Sequence, residues 1–304
     1  METNRGTTAF LGLGKMGRAI AERMLKDGRH LRVWNRSPSA AASLAAMGAE
    51  VCATPGGAAQ GSDMVFTMLG DDEATRAVIL GGRDQPAVGA IASLETGAIH
   101  VCMSTIGVAM SRTLTQAHGD RGQHFVAAPV FGRPVIAEQG KLWVAMAGAS
   151  SAVERVQPWL ASISRGVTVV SEEPWKAHAL KLGGNFMISA MIQALSEGFV
   201  FAESQGLSPW SFLETVNNAL FQSPFYLQYG KIMLDPPAQA GGTVSLGSKD
   251  TALFREAAAV AGRTLPLADY IAEQFNRAEE AGMKDGDWAV AQYRIAQRDS
   301  ERRR

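Results

Sequence analysis

The chain has little cysteine and no pattern that would hold a metal. Its 304 residues include two cysteines, Cys52 and Cys102, and five histidines. Both cysteines lie in apolar, strand-like runs, where buried reduced thiols are usual. Two cysteines cannot form a disulfide framework, and the cysteines and histidines lack the spacing of metal ligands. We therefore expect no metal site and a reducing, cytoplasmic location.

Excess charge and long apolar runs are also missing. Lys plus Arg and Asp plus Glu both number 29, which argues against nucleic-acid and anionic-membrane partners. No stretch approaches the ~20 apolar residues that span a bilayer, and the polar first residues, Met1–Arg5, lack a secretory apolar core. Apolar residues make up 46% of the chain, enough for a substantial core, and the length suits two domains. These features predict a soluble protein without a membrane segment.

A glycine motif, Gly12-Leu13-Gly14-Lys15-Met16-Gly17, stands where a first strand should end and a first helix begin. The apolar run before it is typical of a buried parallel strand, and apolar residues recur at helical spacing after it. In that context Gly12 permits a tight turn, Gly14 lets a pyrophosphate approach the backbone, and Gly17 lets helix and strand pack closely. The helix N-terminus would offer free N–H groups to the anion. The motif predicts a dinucleotide site, with a glycine-rich turn that binds no ligand as the alternative.

The end of the second predicted strand indicates which dinucleotide binds. Leu31–Trp34 is followed by Asn35-Arg36-Ser37, where an NAD-binding unit usually has Asp or Glu for the ribose 2′-hydroxyl. The guanidinium of Arg36 can neutralise a 2′-phosphate, and Asn35 and Ser37 can add neutral contacts. A carboxylate there would repel the phosphate. The segment therefore favours NADPH over NADH, unless Arg36 is simply a solvated loop residue.

Short apolar runs alternate with helical segments through the first half of the chain. Further strands are predicted at 62–69, 98–103, 124–127, 141–147 and 167–170. This βαβ succession predicts a parallel or mixed, doubly wound sheet of the Rossmann type. Ligands collect at the strand ends of such sheets, and ordinary turn and capping roles are the alternative there. The residues at two of these ends are Leu69, Gly70 and Thr105, as candidate cofactor contacts, and Ser104, as a candidate substrate contact.

The pattern changes near Pro174, which suits the first turn of a helix. From Trp175 to about Gln205 the chain has no proline and an almost unbroken helical pattern, roughly 45 Å long at 1.5 Å per residue. The remaining residues also predict helices. A dinucleotide-binding α/β domain (1–172) is therefore followed by an all-α domain (173–304), joined by this long interdomain helix. The helix is too apolar all round for one small domain to cover, so we expect a homodimer whose helical domains pack together and help to close each active site.

Lys181 and Asn185 lie four residues apart on the long helix and so share one face. A lysine within an apolar stretch is unusual, and burial makes such a group better suited to proton transfer. Gly183 and Gly184 cost the helix about 1 kcal/mol each relative to alanine, which makes sense if another backbone or a nicotinamide approaches closely. A lysine that reaches solvent beside an incidental asparagine is equally compatible with the spacing. His178, one turn before Lys181, is interpreted as a packing residue.

Four segments recur in the order of a known family, and the resemblance covers essentially the full length of the chain. They are Phe10–Gly17, Ala127–Arg133, Lys181 with Asn185, and Lys249-Asp250. In turn they resemble the cofactor loop, the D-A-P-V-S-G-G substrate loop, the K-x-x-N-N catalytic segment and the late K-D motif of the β-hydroxyacid dehydrogenase superfamily. The resemblance implies hydride transfer between NADPH and an aldehyde or ketone of the 3-hydroxyacid or semialdehyde class. It also implies that Lys181 donates or accepts the proton, that Asn185 orients the substrate oxygen, and that Lys249 lies near the cofactor.

The substrate segment departs from the family pattern. Phe131 replaces the family's serine, Arg133 its second glycine and Ala127 its leading aspartate, while Pro129 and Gly132 are kept. The resemblance implies that Pro129, Phe131, Gly132 and Arg133 contact the substrate. A small carboxylate would meet a phenyl ring instead of a hydroxyl, and Arg133 either binds the carboxylate as a bidentate donor or braces the loop. The pocket is therefore expected to be wider and more apolar than in the small-acid enzymes.

Two other functions stay open. Trp34–Ser37 also resembles the imine reductases, NADPH-preferring relatives with the same fold, which would make the protein an imine reductase or reductive aminase. Those enzymes usually have Asp or Tyr at the position of Lys181, so the lysine favours carbonyl reduction. A non-catalytic dinucleotide-binding sensor is the third possibility, and the presence of both Lys181 and Asn185 argues against it.

Overall fold

The computed structural model describes residues 7–82 and 89–302, with the side chain of Arg302 excepted. The polar N-terminal segment Met1–Arg5 lies outside these residues. The chain divides into two compact units, residues 1–181 and 182–304. The sequence predicts a domain boundary between residues 172 and 173. That functional boundary remains a prediction, separate from the division into compact units.

Within the described residues, the first unit is built on one nine-stranded sheet, in the order β3-β2-β1-β4-β5-β6-β8-β7 with β9 on the other side of β8. The pairs from β3 through to β6 are all parallel, and helices connect most of these strands, as a doubly wound fold requires. The strands are β1 Thr7–Leu11, β2 Leu31–Trp34, β3 Glu50–Val51, β4 Ser62–Thr67, β5 Ile99–Cys102, β6 His124–Ala127, β7 Val130–Phe131, β8 Leu142–Ala147 and β9 Ser164–Ser171. The helices are α1 Lys15–Lys26, α2 Ala42–Ala46, α3 Pro55–Ala59, α4 Asp72–Ile79, α5 Val108–Gly119, α6 Pro134–Glu138, α7 Ser150–Leu160 and the first two turns of α8 Pro174–Ser204.

The sheet is mixed, because β8 runs antiparallel to its neighbours β6 and β7. Ala127 pairs with Ala147, Val130 with Val144 and Phe131 with Trp143, so one register continues from β6 into β7. Strands β3 and β7 have two residues each, too few for a periodic pattern, and the sequence did not predict them. The Rossmann-type sheet itself is as predicted.

Apolar side chains cover both faces of the sheet. Phe10 and Phe66 belong to one buried cluster, and Ala9, Leu11 and Val65 belong to another. Neighbouring residues of one strand therefore point to opposite faces, and both faces are buried. This is why the parallel strands are continuous apolar runs rather than alternating ones.

The regular elements described in the second unit are helices, joined by loops. After the rest of α8 it contains α9 Pro209–Val216, α10 Pro224–Leu234, α11 Val244–Val260, α12 Pro266–Glu280 and α13 Trp288–Arg302. Proline opens α9, α10 and α12, where its fixed φ suits a helix start and its missing N–H costs nothing. Phe199, Ile271, Phe275 and Trp288 are central to its apolar core. The all-α second half is as predicted.

By length and composition α8 could cross a membrane, although the sequence predicted no membrane segment. Its 31 residues have a mean hydropathy of 1.2 in the most apolar window, and half of that window is buried inside the structure. The core helix of a globular protein meets the same criteria, because it buries its apolar side chains within the protein rather than in lipid. The helix is therefore weak evidence for a membrane segment.

Candidate active site

The glycine loop between β1 and α1 has the geometry of an anion site. Gly12 has a φ of +97°, and a Cβ on it or on Gly17 would overlap backbone atoms of Met68 and Gly12 respectively. A Cβ on Gly14 would meet nothing within 4 Å, so open space borders the loop where a pyrophosphate would approach. Gly14 is also the N-cap of α1 and provides no side-chain cap, which suits a helix start that binds an anion. These residues fit a dinucleotide, with Leu13 buried, Met16 half-buried and Lys15 exposed.

The segment after β2 has one side chain that braces the loop and one that faces solvent. Asn35 Oδ1 accepts a hydrogen bond from the Leu13 N–H at 2.9 Å, and its Nδ2 donates to the Ser37 carbonyl at 3.1 Å. The amide thus ties the end of β2 to the glycine loop. Arg36 and Ser37 are exposed, and within residues 7–82 and 89–302 the Arg36 guanidinium has no ion-pair or hydrogen-bond partner. Arg36 is therefore the cation at this strand end that is available to a phosphate.

The ends of β4 and β5 are hydrogen-bonded to each other through side chains. The hydroxyl of Ser104, fully buried after β5, accepts from the Leu69 N–H at 2.7 Å. Asp72 Oδ1 accepts from the Gly107 N–H at 2.9 Å. Ser104 thereby fixes the backbone of Leu69 and Gly70, two candidate cofactor contacts. Its role as a substrate contact, like that of neighbouring Thr105 toward the cofactor, stays a prediction.

The predicted substrate segment is held to the sheet and brings an aromatic ring to Lys181. Lys181 is 7% exposed, and its Nζ lies 4.3 Å from the centroid of the Phe131 ring, within the range of a cation–π contact. Pro129 accepts from the Ala145 N–H at 3.0 Å. Gly132 has a φ of +141° and faces the Leu142 side chain, and Arg133 follows as the N-cap of α6. The structure thus brings together Phe131 and Lys181, which stand fifty positions apart in the sequence.

His178, one turn before Lys181, is fully buried. Its Nδ1 lies 2.9 Å from Ser111 Oγ, and its ring stacks on Phe125 with centroids 6.4 Å apart. Burial lowers the pKa of His178 to about 3. A neutral, stacked imidazole fits the packing role expected from the sequence.

In the second unit, an aspartate holds the predicted catalytic asparagine. Asn185 is 7% exposed and its Nδ2 donates to Asp250 Oδ2 at 2.5 Å. Lys249 Nζ lies 3.0 Å from the other carboxylate oxygen of Asp250. Because an ionised carboxylate only accepts hydrogen bonds, Asp250 decides which end of the amide faces it. A Cβ at Gly183, between Lys181 and Asn185 in the chain, would meet nothing within 4 Å.

Comparison with known proteins identifies the family. Residues 7–171 match the NAD-binding domain of 6-phosphogluconate dehydrogenase, and residues 176–294 match the NAD-binding region of NADP-dependent 3-hydroxyisobutyrate dehydrogenase. An uncharacterised oxidoreductase of Bacillus subtilis, YfjR, is 41% identical over 93% of this chain and 97% of its own length. The chain belongs to the β-hydroxyacid dehydrogenase superfamily. It is an NAD(P)-dependent oxidoreductase, as the resemblance implied.

Three further matches are informative, one curated relative and two solved structures. Glyoxylate/succinic semialdehyde reductase 2 of Arabidopsis thaliana is 29% identical over 92% of this chain and 77% of its own length. The solved structure of Psf3 with NADP+ and 2-OPP matches with a TM-score of 0.83 and 25% identity, over 95% of this chain and 99% of that one. An imine reductase from Pseudomonas sp., 20% identical with a TM-score of 0.62 over 96% and 99% of the two chains, shares the fold. These comparisons support a nicotinamide dinucleotide cofactor for this chain.

The first unit also contains a line of buried polar side chains that the sequence did not predict. Thr67 Oγ1 lies 2.9 Å from His100 Nε2, His100 Nδ1 lies 2.9 Å from His118 Nε2, and His118 Nδ1 lies 2.8 Å from Gln123 Oε1. All four residues are buried. We call this line the histidine relay. No spacing in the sequence predicts it, because its members come from β4, β5, α5 and the residue before β6.

The far end of the relay fixes the proton on each ring. Gln123 Nε2 donates to the carbonyls of Ile91 and Leu94, so its Oε1 must accept from His118 Nδ1. His118 Nε2 must then accept from His100 Nδ1. Each imidazole already has one donor and one acceptor position in use and is neutral. Burial accordingly lowers the pKa of His118 to about 4. Burial also lowers the pKa of His100 well below its ordinary value, and neighbouring His118 and His178 add to this effect.

Proposed function

We propose that this protein transfers a hydride between NADPH and an aldehyde or ketone of the semialdehyde or 3-hydroxyacid class, and catalyses the reverse oxidation of the alcohol. The observation that carries the proposal is the nearly buried Lys181, at 7% exposure, one helical turn from the equally buried Asn185. Moving an ammonium group from water into the protein interior costs free energy. The position of Lys181 on an apolar helix is therefore best explained by a reaction that uses the group. We assign dinucleotide binding to residues 1–172 and substrate binding and dimerisation to residues 173–304.

Each side chain of the proposed site has a task that its chemistry suits. Bound NADPH supplies the hydride. Lys181 donates a proton to the carbonyl oxygen, or stabilises the charge that develops on it, and accepts the proton in the reverse direction. Asn185, held by Asp250, orients the substrate oxygen, and the Ser104–Leu69 hydrogen bond keeps the end of β4 in place for the cofactor.

The preference for NADPH rests on Arg36. Its guanidinium is exposed at the end of β2, where a 2′-phosphate attached to the ribose would lie. Asn35 is already committed to bracing the glycine loop, so Arg36 and Ser37 are the proposed contacts to that phosphate. Lys249 is proposed as a further cofactor contact, and Pro129, Phe131, Gly132 and Arg133 as substrate contacts.

Replacement of Lys181 tests the proposed reaction. The variant Lys181→Ala should lower kcat on an aldehyde by about 10²–10⁴-fold, the usual worth of general acid–base catalysis, while NADPH affinity measured by fluorescence barely changes. Asn185→Ala should cost less, because the amide transfers no proton. Lys176→Ala is the matched control, since this lysine lies on the same helix in a surface ion pair with Glu173. A Lys181→Ala enzyme with near-normal kcat would overturn the assignment.

Imine reduction is the second candidate function. The segment Trp34–Ser37 and the fold shared with imine reductases favour it, and Lys181 argues for a carbonyl. Assaying NADPH oxidation with aldehydes and with cyclic imines separates the two. NADPH binding without any turnover would instead indicate a dinucleotide sensor.

Assembly and location complete the proposal. Met187 and Phe201, on α8, are 65% and 61% exposed, and their spacing of fourteen residues puts them on one side of the helix. Exposed apolar side chains continue beyond the helix with Leu207 and Trp210. A second copy of the chain would cover such a surface, so we propose a homodimer. The free thiols of Cys52 and Cys102 suit a cytoplasmic enzyme.

A further inference from the structure

The Phe131 ring occupies one side of the proposed catalytic ammonium. Lys181 Nζ lies 4.3 Å from the ring centroid. A carbonyl oxygen that hydrogen-bonds to Nζ at roughly 2.8 Å lies at most about 7 Å from the ring centroid, and nearer when it approaches Nζ from beside the ring. Phe131 is half-buried, so part of the ring is available for contact. A carbonyl compound that approaches on this side of Nζ places its attached groups against a phenyl surface.

The backbone segment that carries the ring is held in place. Phe131 belongs to β7 and pairs in register with Trp143 of β8. The next residue, Gly132, has a φ of +141° and faces Leu142 of the same strand, so this turn is fixed by a backbone conformation that other residues rarely adopt. The preceding Pro129 is hydrogen-bonded to Ala145. The backbone on both sides of Phe131 is thus anchored to β8.

A phenyl ring treats charged and apolar groups very differently. It donates no hydrogen bond, so a carboxylate placed against it loses water without compensation. The face of the ring is also the negative end of its quadrupole, which attracts the ammonium and repels an anion. An aliphatic or aromatic group at the same place gains buried apolar area.

We infer that Phe131 sets the substrate class: the preferred carbonyl compound carries an uncharged, apolar group where the small-acid enzymes accept a carboxylate. The inference rests on the proposed function, in which Lys181 contacts the carbonyl oxygen. It narrows the substrates from semialdehydes in general to aldehydes and ketones whose carbonyl substituent is apolar or neutral.

Succinic semialdehyde and its methyl ester form a suitable probe pair, because they differ mainly in charge. With NADPH, the native enzyme should show a kcat/KM about 10-fold or more higher for the ester, within the ~10–200-fold range that one pocket contact provides. Phe131→Ser replaces the ring with a hydroxyl and should move this ratio toward the acid by about 10-fold or more. Phe131→Leu keeps an apolar side chain and should keep the preference for the ester, so it separates the loss of apolarity from a general disturbance of β7.

The outcomes distinguish this inference from the function on which it rests. If the native enzyme oxidises NADPH with neither compound nor with any other aldehyde, the proposed function fails. If it reduces succinic semialdehyde better than the ester, only the inference about Phe131 is overturned. The variant Arg133→Ala then tests whether Arg133 binds the carboxylate, since loss of that contact should abolish the preference for the acid. An unchanged ratio in Phe131→Ser would also overturn the inference.

Discussion

At the scale of single residues, the dinucleotide loop contains three glycines, and each position favours glycine for a different physical reason. Gly12 needs a positive φ, Gly17 lies against the backbone of Gly12, and Gly14 borders open space. Only the last leaves room for a ligand. Asn35 has a task that its position did not suggest, since it hydrogen-bonds to the loop through Leu13. Arg36 is left as the residue at this strand end with a charge to offer a phosphate.

Replacing Arg36 should change the cofactor preference. Arg36→Ala removes a charge-assisted hydrogen bond worth about 2 kcal/mol, so NADPH should bind roughly 30-fold more weakly, and NADH affinity should be nearly unchanged. Titration by nucleotide fluorescence measures both. Arg121→Ala, at the C-terminal end of α5, is the surface control. Equal efficiency of NADPH and NADH in the native protein would show that Arg36 does not select the cofactor.

At the scale of elements, the ends of β4 and β5 are held by side chains that take no part in the proposed reaction. Ser104 holds Leu69, and Thr67, at the last position of β4, begins the histidine relay. The relay runs through the interior of the sheet layer to Gln123, the residue before β6. A second proton on His118 would point at the Nδ1–H of His100, so His100 would have to carry its proton on Nε2 instead, toward the Thr67 hydroxyl. The added charge would also be buried away from water, and protonation therefore costs stability.

The relay predicts a loss of stability in acid. His118 has a folded-state pKa of about 4 against an ordinary value of 6.5, so the unfolded chain binds a proton first as the pH falls. The stabilisation is fully present above pH ~6.5 and is lost as the pH falls toward ~4, on the order of 3 kcal/mol for this residue by pH ~4. Burial of His100 and His178 acts in the same direction. Urea unfolding at several pH values should show the free energy of unfolding decreasing across this range.

A non-titrating variant tests the origin of that decrease. In His118→Gln the difference between the free energies of unfolding near pH 7 and near pH 4.5 should be smaller than in the native protein, even though the variant is less stable overall. His124→Gln, on β6 and half-buried, should keep the native difference. If His118→Gln retained it as well, the relay would not be the cause.

At the scale of the whole molecule, the chain presents large apolar side chains that its own second unit leaves exposed. Met187, Phe201, Leu207 and Trp210 are all at least 40% exposed. Single exposed apolar residues are ordinary, but several on α8 and in the residues that follow it are the basis of the proposed dimer. The apolar composition of the long helix had led to the same expectation of a dimer.

The expected assembly can be measured directly. Light scattering at micromolar concentration should give twice the mass of one chain, and Phe201→Glu should shift the protein toward monomer by placing a charge in the apolar contact. Val260→Glu, at an 85% exposed position at the end of α11, is the control and should leave the mass unchanged. A native protein that is strictly monomeric and fully active would contradict the proposed dimer.

Much of the fold could be predicted because the strong signals are local. The strand before Gly12 and the strands at 99–102 and 142–147 are continuous apolar runs in the sequence, and the helix from Pro174 is a long helical pattern without an internal proline. Strands β3 and β7 were missed, since two residues carry no period. Lys181 and Asn185 could be singled out by their spacing on one helix. Their partners Phe131 and Asp250 stand 50 and 65 positions away, and no local pattern pairs them.

The sequence by itself determined the fold class, the dinucleotide loop and the family, because each depends on short-range spacing: glycines around one turn, apolar residues along one strand or helix, and four motifs in a fixed order. The tertiary structure alone decided which side chains meet. It brought a phenyl ring over the Lys181 ammonium, set Asp250 against Asn185, and aligned two histidines between Thr67 and Gln123. The physical reason is that hydrogen bonds and cation–π contacts act over a few ångströms. Only the folded backbone brings residues distant in sequence to that range.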